Sequence, residues 1–164
     1  MRRVSGLPLD HLALAVMSNV WRTAQAFKQE MERGVLRESD LSFGSFSTLF
    51  IVWVWGPIET RAIARSQGVT RATVTSTVSH LEERGLVARS ESPSDRRLVL
   101  VKLTPAGRRL IQDLFPRFNQ AEHLVASSLT GREQKTLAHL LRKMQAGVQR
   151  RRLQGPAGRN GHRG

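Results

Sequence analysis

Residues 60–85 read "TRAIARSQGVTRATVTSTVSHLEERG". Two short helical segments flank "SQGVT": Thr60 to Gln67 closes on Gly68, and Thr70 to Arg84 closes on Gly85. Each glycine stands where a helix C-terminus favours a left-handed residue. Thr70 can cap the second helix, because its hydroxyl can accept an amide hydrogen from the first turn. In that helix Val74, Val78 and Leu81 form the inward face. A rotation of about 100 degrees per residue puts Ala72, Ser76 and Ser79 on the opposite side, with Thr73 and Thr75 flanking them. An ordinary solvated face would carry Lys and Glu. This one is small and hydroxylic, built from weak helix formers, so something other than helix propensity selects it.

The next segment, residues 89–104, reads "RSESPSDRRLVLVKLT". Val99, Val101 and Leu103 alternate with Leu98, Leu100 and Lys102 in a strand-forming run, and Ser92, Pro93, Ser94 and Asp95 supply a turn before it. Helix, glycine turn, helix and two-stranded ribbon in that order are the plan of a winged helix-turn-helix. The second helix is then expected in a DNA major groove, where short hydroxyl side chains reach bases or phosphates and Arg71 reaches a phosphate or a guanine. The hairpin tip falls over the adjacent minor groove, where an arginine meets concentrated negative potential. Asp95 can pair with one guanidinium of Arg96 or Arg97 and hold it in position. For the tripeptide alone a solvated turn is the better reading. Its place after a helix-turn-helix reverses that preference.

Upstream, Leu9, Leu12, Val16, Val20, Ala24, Phe27 and Met31 recur at three- and four-residue steps, predicting one long amphipathic helix ending near Gly34. A buried helix follows from about Phe43 to Trp55, stopped by Gly56 and Pro57. Downstream, "LTPAGRRLIQDLFPRFNQAEHLVASSL" predicts a helix with Pro105 at its start, and Pro116 is expected to kink or break it. Thr130 caps a last helix with a stripe of Leu137, Leu141, Met144 and Val148. The expected fold class is mainly α with a small β-wing. A winged helix-turn-helix domain spans 43–104, a helical dimerisation region is formed by 9–34 and 105–150, and 1–8 and 153–164 are basic tails without order. The stripes on the terminal helices predict a homodimer, since a chain this thin cannot bury them all.

Composition fits. At 164 residues the chain has room for one modest core. Lys and Arg number 26 against 13 Asp and Glu, a formal charge of +13 that favours a polyanionic partner, nucleic acid before an anionic membrane surface. Without cysteine there is no disulfide, zinc finger or thiol sensor. Asp10 and His11 interrupt any signal-peptide apolar run, and "FSTLFIVWVW" (46–55) is roughly half the ~20 residues of a membrane span, so a cytoplasmic, nucleoid-bound location without membrane contact is expected. "GSFS" around Ser45 lacks the nucleophile-elbow spacing, and neither a P-loop nor a glycine-rich dinucleotide motif occurs, so no enzyme and no cofactor are expected. The five histidines, His11, His80, His123, His139 and His162, are scattered, and no metal site is expected.

The run "HLEERGLVARSESPSDRRLVLVKLTPAGRRLI" resembles the core of the MarR family of transcriptional regulators, most specifically in "LEERGLV", "SDRR" and "LTPAG", and the resemblance extends from about residue 9 to 150. It implies an obligate dimer with intertwined terminal helices, presenting two winged helices to a pseudo-palindromic operator as a transcriptional regulator, expected to be a repressor. It also makes Arg97 the wing arginine of the minor groove, with Arg96 nearer phosphate. The expected DNA-contacting set is Thr70, Arg71, Ala72, Thr73, Thr75, Ser76, Ser79, His80, Asp95, Arg96 and Arg97. "ETRA" (59–62) departs from the family's usual start to the first helix, leaving Glu59 or Thr60 as its cap. The resemblance further implies release by a small aromatic or anionic effector between the dimer helices and the winged domain. Met17, Trp21, Phe46, Phe50 and Trp53 are candidates to line that cleft, and Arg22 or His11 to meet an anionic group. Plain core packing is the better reading of Phe50 and Trp53. The competing function is a basic architectural protein that binds DNA without sequence preference or associates with membranes, supported by Arg150, Arg151, Arg152 and the basic tail.

Overall fold

The computed structural model describes residues 7–91 and 98–153. Residues through Ala121 form one compact unit and those from Glu122 a second. The chain order is α1 (His11–Arg33), a single 3-10 turn (Arg37–Ser39), α2 (Phe43–Trp55), β1 (Ile58–Glu59), α3 (Thr60–Gln67), α4 (Arg71–Glu83), β2 (Val87–Glu91), β3 (Val99–Leu103), α5 (Pro105–Ala126) and α6 (Gly131–Leu153).

In the first unit α2 is the hub. Its sequence is apolar almost all round, as a helix buried among others must be. Phe46, Leu49, Ile51 and Val52 lie in one core with Met31 of α1, Ile63 of α3, Val74, Val78 and Leu81 of α4, Val101 of β3 and Ile111 and Leu114 of α5. Two polar side chains are buried with them. Ser45 accepts from the Ser42 hydroxyl (2.9 Å), and Thr48 donates to the Gly44 carbonyl (2.9 Å) while accepting from Gln67 Nε2 (2.9 Å). Burial without such partners would cost a few kcal/mol each, about 1–3 by mutational measure. The Gln67 bond also fixes the end of α3 against α2.

The helix-turn-helix forms as its punctuation predicts. Gly68 ends α3 at φ 70°, left-handed backbone that a side chain would strain. Thr70 Oγ1 accepts from Thr73 N (3.1 Å) and starts α4. Arg84, just past α4, donates from both terminal nitrogens to the carbonyls of Ser39 and Asp40, 2.7 Å each. Asp40 takes φ 47°, the left-handed region an aspartate tolerates better than most residues. The backbone between α1 and α2 is thus locked to the end of α4.

The sequence predicts a two-stranded ribbon, and the sheet has a third strand, in the order β1-β3-β2, all antiparallel. Ile58 pairs with Val101 and Glu59 with Leu100. Two residues after a proline carry no periodicity by which a strand could be read. Glu59 also occupies the N-cap position of α3, but its carboxylate makes no cap bond and pairs instead with Arg61.

"LTPAG" closes the wing onto α5. The Thr104 hydroxyl donates to the Gly85 carbonyl (2.7 Å) and accepts from Gly107 N (3.0 Å), and Thr104 N donates to the Leu86 carbonyl (3.1 Å). A Cβ on Gly107 would lie 1.9 Å from that carbonyl oxygen, so the close approach of helix and strand needs glycine. Of the kink or break expected at Pro116, the break does not occur: α5 runs unbroken through it. Pro116 and Gln112, whose carbonyl loses its partner, are both exposed, so water can satisfy the orphaned group.

In the second unit Thr130 and Glu133 form a reciprocal capping box at the start of α6: Glu133 Oε2 accepts from Thr130 N (2.8 Å), and Thr130 Oγ1 accepts from Glu133 N (3.4 Å). The helix reaches Leu153, the first residue read as tail.

Candidate nucleic-acid interface

The α4 face opposite Val74, Val78 and Leu81 is open to solvent. Arg71, Ala72, Thr73, Thr75, Ser76 and His80 are exposed, and Ser79 is half-buried. Thr70, exposed at the cap, shares a hydrogen bond with the Thr73 hydroxyl at 2.8 Å. The structure therefore puts every α4 residue of the expected DNA-contacting set on one accessible surface. Asp95, Arg96 and Arg97 lie outside the described residues.

The hydroxyls on this helix are not equivalent. Thr75 donates to the Arg71 carbonyl (2.9 Å), which leaves its lone pairs to face outward. Ser76 has no hydrogen-bond partner among the described residues and can donate or accept. Ser79 accepts from Arg89 Nη2 at 2.9 Å. Arg89 lies on β2 and is anchored by Glu82: its guanidinium pairs with Glu82 Oε2 and its backbone N–H donates to Glu82 Oε1 (3.1 Å). Glu83 ends the helix with an exposed acidic charge, so the surface able to approach a polyanion stops near Ser79 and His80.

Sequence reasoning missed Arg89 and Arg84. Arg89 is seven residues beyond Glu82, across the α4–β2 turn, so their meeting follows from the tertiary path and no helical spacing announces it. Arg84 bonds across 44 residues to Asp40.

The candidate effector residues divide. Phe46 is buried and stacks on Phe118 at 4.1 Å between centroids. Phe50 and Trp53 are half-buried with Phe115, at 5.0 and 5.6 Å, the packing expected of core aromatics. His11, Met17, Trp21 and Arg22 are exposed along α1, and among the described residues no ring contact or hydrogen bond joins them to the aromatic cluster. Also among the described residues, no group of three His, Cys, Asp or Glu could hold a metal ion, and no helix is long and apolar enough to cross a membrane.

The model of the MarR family matches residues 41–99, the span from the start of α2 to the wing. Over 147 residues the chain is 36% identical to the HTH-type transcriptional regulator YwaE of Bacillus subtilis, covering 88% of this chain and 86% of that protein. The chain belongs to the MarR family. Other MarR-type relatives agree. The transcriptional repressor NicR of Pseudomonas putida is 35% identical over 99 residues, 60% of this chain and 63% of NicR. The structure of Bordetella bronchiseptica BpsR, whose DNA binding is regulated by 6-hydroxynicotinic acid, superposes with a TM-score of 0.73 at 29% identity, over 80% of this chain and 98% of that one. The chain is thus a DNA-binding transcriptional regulator of the MarR type, grouped with regulators rather than enzymes.

Proposed function

We propose that this regulator acts as a homodimeric repressor, reading a pseudo-palindromic operator with α4 in the major groove and its wing over the neighbouring minor groove. The observation that carries the reading is the α4 face: exposed, small and hydroxylic, capped by Thr70 and backed by three fully buried residues, Val74, Val78 and Leu81. A rigid back holds the reading face still, and short side chains let the helix approach base edges. Arg71 at the helix start, and Arg96 and Arg97 at the wing, supply phosphate and minor-groove contacts by charge.

Apolar residues left exposed support the dimer. On α1, Leu12 is 76% and Val16, one turn on, 41% exposed; on α6, Leu137, Leu140 and Val148 are exposed. Each set is a stripe that a second copy would cover. Repression follows NicR's name, and a location in the cytoplasm on the nucleoid follows from the DNA target. BpsR's ligand is an aromatic acid, which supports an aromatic or anionic effector here, with Trp21 and Arg22 of α1 as the accessible aromatic and cationic groups. Such a ligand releases DNA only by binding the DNA-incompetent arrangement better than the competent one.

The test is affinity for the duplex flanking the protein's own gene against random duplex at matched salt. A ratio of about 10³ or more supports operator recognition. Equal affinities would instead support the architectural, sequence-indifferent reading.

A further inference from the structure

We infer that Arg89 is a positioning residue that determines base specificity through Ser79, by occupying one lone pair of the Ser79 hydroxyl and so biasing it to donate a hydrogen bond toward a base-edge acceptor. The inference rests on the reading of α4 as the major-groove helix.

A serine hydroxyl has one proton and two lone pairs, and left free it reads donors and acceptors alike. Arginine is donor only. With Nη2 2.9 Å from Ser79 Oγ, Arg89 occupies a lone pair and draws density from the oxygen, so the hydroxyl proton must point elsewhere and is made a better donor. The guanidinium is not free to turn away. Its other terminal nitrogen is held by the Glu82 carboxylate, which also accepts from Arg89 N at 3.1 Å, so strand and helix fix the fork from two directions. The pairing also leaves Glu82 without net charge to repel a phosphate.

Where the proton points follows from the face that Ser79 shares. At about 100 degrees per residue Ser79 lies beside Ala72 and Ser76, the small residues opposite the buried stripe, and those side chains face the groove floor rather than its phosphate walls. A donor there is matched by guanine O6 or N7, adenine N7 or thymine O4, and is mismatched by the exocyclic amines of cytosine and adenine. Thr75, one turn earlier, has the opposite polarity, because its proton is spent on the Arg71 carbonyl.

The experiment selects a preferred duplex from a randomised library with the full-length wild-type protein. It then measures binding to all four base pairs at every position for wild type, Ser79→Ala, Ser79→Thr, Arg89→Lys and the Ser79→Ala/Arg89→Lys pair. Lysine keeps the charge for Glu82 but lacks the planar fork whose two terminal nitrogens reach Glu82 and Ser79 at once. Ser79→Ala is expected to flatten the preference at one position per half-site by about tenfold. Arg89→Lys should flatten the same position, the double variant no further, and Ser79→Thr should retain the preference. Should Arg89→Lys fail to fold, Glu82→Ala removes the anchor of the fork and is expected to flatten that position too. An Arg89→Lys profile identical to wild type, or affinity lost equally on every sequence, would overturn the role of Arg89 while leaving operator recognition standing. A wild type that enriches no sequence would remove the major-groove reading itself.

Discussion

Gly107 and Gly147 are both helical glycines, and the structure gives them opposite fates. At Gly107 a methyl group would meet the Leu86 carbonyl oxygen at 1.9 Å, and backbone has no flexible end to give way. Gly107→Ala is expected to destabilise the protein by at least ~3 kcal/mol, the upper range of overpacking, and to weaken DNA binding by displacing the wing. At Gly147 of α6 nothing lies within 4 Å of the added methyl, so Gly147→Ala should stabilise by up to ~1 kcal/mol, the ordinary gain of alanine over glycine in a helix. Urea titration of both variants checks the pair, and a neutral Gly107→Ala would contradict the packing described for "LTPAG". At this scale the sequence was legible wherever a residue acts on its own neighbours: Thr70 and Thr130 cap as their positions imply, and Gly68 turns the chain. It was not legible where a side chain acts across the fold. Nothing around Arg84 or Arg89 in the chain says that one forks onto the turn after α1 and the other onto Ser79.

Among the elements, α6 begins with a capping box that carries a pH dependence. The Thr130 hydroxyl, and then its backbone N–H, donate to Glu133 and hold its carboxyl below the ordinary glutamate value. A group whose folded value is lowered contributes stability that is fully present above its unfolded value and is lost as pH falls through the folded one. Helix content of α6 should therefore decline on acidification through the glutamate range, and Glu133→Gln should remove that part of the titration. Circular dichroism of the two proteins across that range measures it, and superimposable acid titrations would contradict the cap. The limits of α2, α3 and α4 were readable because glycine, proline and threonine mark them. The strand β1 was not, because two residues have no period and its existence depends on β3 lying alongside. The continuity of α5 through Pro116 is left open by the sequence, between a kink and a break, because the proline rule assumes that the orphaned carbonyl matters, and on a solvent face water answers it.

For the whole molecule, the exposed apolar faces of α1 and α6 and the basic charge of +13 make joint demands, one for a second copy and one for a polyanion. Leu12→Glu places a carboxylate on the α1 stripe and is expected to shift sedimentation from dimer toward monomer at micromolar concentration and to weaken DNA binding with it. A variant that remains fully dimeric would move the interface away from that stripe. With Arg97 proposed as the minor-groove arginine, Arg97→Ala should weaken operator binding more than Arg152→Ala at the end of α6, since negative potential is most concentrated in a minor groove. In the proposed mode of binding, two copies of α4 read one operator. Hydroxyl-radical footprinting of the wild-type protein on its preferred duplex tests it most directly. Two symmetric protected half-sites are expected on one face of the DNA, with centres about one helical turn, ~34 Å, apart. A single unpaired footprint, or uniform protection that spreads along the duplex with protein concentration, would contradict it.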